Sequence, residues 1–83
     1  MEREYTFPPE QKGDLEAHFE RILIPLGYSG LFNREELYFV INNPNNLTIA
    51  SNLRSAEEIE IAEKELMEKG FMLKRLIANP IVS

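Results

Sequence analysis

Two short runs, Leu37-Tyr38-Phe39-Val40-Ile41 and Leu47-Thr48-Ile49-Ala50, stand five residues apart and are rich in aromatic and β-branched side chains. Such side chains suit a pleated, half-buried surface better than a helix. The intervening Asn42-Asn43-Pro44-Asn45-Asn46 is turn chemistry: proline presets its backbone angle, and asparagine tolerates left-handed conformations while bonding nearby amides. The pair is therefore expected to form a β-hairpin, which confines the rest of the chain to elements that cover or extend a small sheet. The Asn cluster reads as structural rather than as a ligand site.

A helical pattern lies on either side. Behind Asp14, a candidate N-cap, Leu15, Phe19, Ile22, Leu23 and Leu26 recur at spacings of three and four, and Pro25 and Gly27 predict an end between residues 24 and 27. Further on, Ser55-Ala56-Glu57-Glu58 is a capping box, in which the serine hydroxyl accepts an amide hydrogen bond and Glu58 reaches back. The helix it opens runs to Gly70, with Ile59, Ala62 and Leu66 as its core stripe and Ala56 and Met67 at the flank. Residues 28–34 read as a loop with Gly30 and Asn33 as turn formers. Residues 71–78 read as a last strand stopped by Asn79-Pro80, and residues 2–7 as an edge strand or loose arm cut off by Pro8-Pro9.

The expected class is α+β, with two helices packed on one face of a three- or four-stranded, mainly antiparallel sheet. If residues 2–7 pair, the order becomes the βαββαβ of ferredoxin-like domains. Eighty-three residues, 43% of them apolar, support one core. Residues 1–83 are thus one small domain, with 1–13 as arm or edge strand and 79–83 as a C-terminal tail.

Charge narrows the partners. Fourteen acids against nine bases give a net charge of −5. A nucleic-acid binder concentrates Lys and Arg on one surface, whereas here Arg3, Lys12, Arg21, Arg34 and Arg54 are scattered and only Lys74-Arg75 adjoin. No apolar stretch, neither Ile22-Leu23-Ile24 nor Leu37-Tyr38-Phe39-Val40-Ile41, approaches the ~20 residues a membrane span needs. Met1-Glu2-Arg3-Glu4-Tyr5 lacks the basic start of a secretory signal, so a cytoplasmic address is expected.

Little in the chain carries reaction chemistry. Without cysteine there is neither disulfide, thiolate-bound metal nor thiol nucleophile. His18, the single histidine, sits at the border of the first helix's apolar face with no Ser or Thr spaced to serve as its nucleophile. The four glycines never take phosphate-loop spacing, and the adjacent carboxylates Glu35-Glu36 and Glu57-Glu58 point in different directions. No catalytic residue, cofactor or metal is expected.

Two surfaces remain. Residues 55–70 hold six acids against two lysines, and Glu57, Glu60, Glu65 and Glu68 surround Ile61 opposite the core stripe. On the sheet, Tyr38, Val40, Thr48 and Ala50 alternate away from the helices, joined by Met72 and Leu76, a face apolar enough to call for a homodimer. Tyr5, Phe7 and the terminal Ile81-Val82 are the alternative cover for it. The expected function is a non-enzymatic protein–protein interaction module, a small regulator or accessory subunit that self-associates. One alternative is an acidic nucleic-acid mimic inhibiting a host or phage enzyme. A second is an RNA-binding sheet with Tyr38 or Phe39 as stacking platform, which the charge balance opposes.

Overall fold

The structure, a computed structural model, describes residues 1–27, 30–42, 44–53 and 55–76. The tail over 79–83, the strand's continuation through 77–78 and the cover by Ile81 and Val82 lie outside the described residues. Among the described residues six strands form one sheet: Glu2–Thr6 (β1), Ile24–Pro25 (β2), Leu31–Arg34 (β3), Leu37–Asn42 (β4), Asn46–Ser51 (β5) and Lys74–Arg75 (β6). Two helices accompany them, Lys12–Ile22 (α1) and Glu57–Glu68 (α2). Across the sheet the order is β2-β3-β4-β5-β1-β6, every neighbour antiparallel. The α+β class holds, with six strands in place of the expected three or four.

Register explains the two faces. Directly opposed residues share a face, so the pairs Tyr5–Leu47, Ile41–Leu47, Phe39–Ile49 and Phe32–Phe39 place one set of side chains together. That set is buried with Leu15 and Phe19 of α1 and with Ile59, Ala62 and Leu66 of α2 in a single core. Both helices therefore lie on this inner face. At its centre the Phe19 ring stands 5.0 Å from Phe39 and 5.4 Å from Phe32, tilted in both pairs, an arrangement favoured by the aromatic quadrupole.

Several elements depart from expectation. Residues 2–7 are neither an arm nor an edge: β1 lies between β5 and β6. Its acids are tolerated because only one face is buried, with Tyr5 inward beside Phe7 and Glu2 and Glu4 exposed on the other side. Arg3, on the inward side, lies 3.8 Å from Glu60 and 3.5 Å from Glu63 of α2, so its charge meets opposite charge rather than apolar packing. The prolines that cut off β1 also start the next element: Pro9–Gln11 forms a 3₁₀ turn running directly into α1, so the helix begins ahead of Asp14. Pro at a first turn forfeits only an amide that has no helical partner. The same helix ends at Ile22, earlier than expected, and Pro25 sits in edge strand β2, where a missing amide costs the sheet nothing.

The stretch ahead of the hairpin is partly strand rather than loop. Gly30 accepts the Ile41 amide at 2.7 Å, and at φ +80° a side chain there would fall 2.6 Å from the Ile41 carbonyl oxygen. Gly30 is thus the close approach from which β3 departs. The hairpin β4–β5 forms as expected, and Asn45 works structurally: its Nδ2 donates to the Phe7 carbonyl at 3.0 Å while its own carbonyl accepts the Phe7 amide at 3.2 Å. Residues 71–73 are not strand: Phe71 reaches the core before β6 starts, and β6 has two residues within the described part. The capping box is also modified. Ala56 is the N-cap residue, so Ser55 stands one position too early and its Oγ accepts from the Glu57 amide at 3.0 Å. Glu58 does not reach back; its Oε2 is buried without a hydrogen-bond partner among the described residues.

Candidate interaction surfaces

The outer face of the sheet follows from the same register. One row reads Ile24, Asn33, Tyr38, Ala50, Glu2, and the next Leu31, Val40, Thr48, Glu4. Leu76, whose amide donates to the Glu4 carbonyl at 2.8 Å, extends the second row. Tyr38, Val40, Thr48 and Ala50 thus share this face, and β2 and β3 add Ile24, 65% exposed, and Leu31, neither legible from the hairpin alone. No helix among the described residues lies on it. Asn33 Oδ1 is buried between Ile24 and Tyr38 without a hydrogen-bond partner among the described residues. Toward β1 the face turns acidic at Glu2 and Glu4.

Four residues expected on or over this face stand elsewhere. Met72 precedes β6 and lines a groove with Phe7, Pro8, Met67 and Gly70. Its amide donates to Gln11 Oε1 at 3.0 Å. Phe39 is 2% exposed in the core and offers no platform for a base. Tyr5 and Phe7 point into that core too, and so do not cover the outer face.

On α2 the burial pattern separates two sides. Ile59, Ala62 and Leu66 are buried, whereas Glu57, Glu60, Ile61, Glu65, Met67 and Glu68 are exposed. Ile61 is 56% exposed and Met67 50%, so Met67 belongs to the surface rather than to the core's flank. Arg3 and Arg34 reach Glu60 and Glu65 at 3.8 and 3.5 Å.

Sequence reasoning missed a polar cluster where β1, α2 and β6 meet. The Tyr5 hydroxyl donates to Glu63 Oε2 at 2.6 Å, and Arg75 Nε donates to the same carboxylate at 3.0 and 3.2 Å. Burial, reinforced by the Glu63 carboxylate, pushes the Tyr5 hydroxyl above its usual range. Burial alone would raise Glu63, but the bonds from Tyr5 and Arg75 and the nearby Arg3 charge outweigh it and hold the carboxyl below its ordinary value. Strand alternation at Tyr5 and Phe7 was the only signal available, since the partners lie far apart in the chain.

His18 packs against Phe71, ring centroids 5.6 Å apart. Burial, then the Arg21 and Lys69 charges, hold its pKa below the ordinary value. Among the described residues no group of three or more His, Asp or Glu side chains is arranged to hold a metal ion, and no helix is long and apolar enough to cross a membrane. Comparison with models of protein families, with curated proteins and with solved structures found no match for this chain.

Proposed function

We propose that this chain is a non-enzymatic protein–protein interaction module, a small cytoplasmic regulator or accessory subunit that self-associates through the outer face of its sheet. The observation carrying this reading is that both helices lie on one face while Ile24, Leu31, Tyr38, Val40 and Ala50 share the other. A two-fold axis near Tyr38 and Val40 would bury the apolar rows and leave Glu2 and Glu4 at the rim, an apolar centre with a charged border. For the architecture, we read β4-β5-β1-β6 with crossovers α1 and α2 as ferredoxin-like, the β2–β3 pair being added at one edge. Folds of this kind host unrelated activities, so the functional reading rests on the surface.

Light scattering tests it. The chain is expected to be dimeric, and Val40→Lys to shift it to monomer while its circular dichroism stays unchanged. A monomeric parent chain, or a Val40→Lys variant that remains dimeric, overturns the reading.

A further inference from the structure

On a helix, side chains three apart form ridges inclined about 45° to the axis. The exposed side of α2 is ordered in this way: Ile61, Lys64 and Met67 make one ridge, Glu57 and Glu60 the next on one side, Glu65 and Glu68 the next on the other. An apolar line therefore crosses the helix obliquely between two rows of carboxylates, the Lys64 stem bridging its middle. The relief on both sides continues the line. Ile61 borders a groove of about 370 Å³ shared with Leu37 and Leu53, and another of about 790 Å³ reaching Arg75. Met67 connects that second groove to a third of about 690 Å³ holding Phe7 and Met72. Leu53, Ile61, Met67 and Met72 are 38%, 56%, 50% and 68% exposed, a spread of apolar anchors along the whole length of α2.

The flanking charge is available. Arg3 and Arg34 touch Glu60 and Glu65 only from the side, leaving those side chains 56% and 54% exposed. Glu57 and Glu68 form no ion pair among the described residues.

We propose that this face docks a basic amphipathic helix from a partner protein. Apolar residues at i, i+3 or i+4, and i+7 of the partner lie along Ile61 and Met67, and Lys or Arg on both flanks of its stripe meet the two carboxylate rows. Polyphosphates and anionic lipid are rejected by the same carboxylates. This surface lies on the helix side of the molecule, away from the outer sheet face.

The test is fluorescence anisotropy of a labelled synthetic peptide of about 18 residues, a helix ~27 Å long with a leucine stripe between lysine flanks, titrated with the full chain. A second peptide has the same composition in an order that destroys the stripe. The amphipathic peptide is expected to saturate at one per chain, and the reordered peptide to bind roughly tenfold more weakly. Ile61→Ser and the double variant Glu57→Lys with Glu68→Lys, all at exposed positions, should each weaken the first peptide by roughly tenfold with the far-ultraviolet spectrum intact. Equal binding of the two peptides, unchanged binding by folded variants, or no binding at all overturns the proposal. The titration reads α2 whatever the oligomeric state, so its failure leaves the sheet-face reading standing.

Discussion

Glu35 opens the two-residue turn between β3 and β4 at φ 54°, the left-handed region where a side chain with Cβ crowds the following carbonyl. Asparagine tolerates that region better. Glu35→Asn is therefore expected to stabilise the fold by about 0.5–1 kcal/mol, seen as a rise of a few degrees in melting temperature. No change, or a decrease, would show that the turn carries no strain. Individual residues were legible where their neighbours are local: the exposure of Ile61 followed from helical spacing, and the inward Leu37, Phe39 and Ile41 from alternation. Glu63 was not. Its partners Tyr5 and Arg75 lie 58 and 12 residues away, and no periodicity relates a carboxylate on a helix to a phenol on a strand not yet placed.

Among the elements, α2 shows how a motif can be present and still act differently. Ser55 satisfies the Glu57 amide from one position outside the expected N-cap, and Ala56 takes the boundary itself. Ser55→Ala should cost about 0.5–1 kcal/mol, measurable by urea denaturation with an unchanged slope. A larger loss would mean that the hydroxyl does more than cap. The hairpin β4–β5 and both helices were readable because each repeats a pattern over several residues. Strand β2 has two residues, too few to show any period, and β6 takes up only Lys74–Arg75 of the strand read over 71–78 within the described residues. β3 buries Phe32 alone and puts Asn33 on the outer face, so its composition resembles a turn, and its strand character comes from pairing with β4.

For the molecule as a whole, three titrating groups bound the pH range of greatest stability. His18 is held below its ordinary 6.5 and Glu63 below its ordinary 4.5, so both favour the fold above those values and withdraw that support as pH falls through their folded pKa values. Tyr5 is raised above its ordinary 10.0, so its contribution is complete below that value and is lost as pH climbs toward its folded pKa. Melting temperature is expected to be level between about 6.5 and 10 and to fall on both sides. Glu63→Gln should make the decline below 4.5 shallower while leaving the His18 step. Tyr5→Phe should flatten the alkaline limb. Equal slopes in the parent chain and both variants would dissociate the β1–α2–β6 cluster from the pH response.

The interior place of β1 sets a timetable for synthesis. A ribosome releases Tyr5 well before Leu47 opposite it and Arg75 on its other flank. The early strand must wait in water while the β3–β4–β5 meander, whose pairings are local, assembles behind it. During that interval the open side of β5 offers a vacancy that a neighbouring nascent chain is able to enter, so strand exchange between copies becomes a hazard of crowded translation.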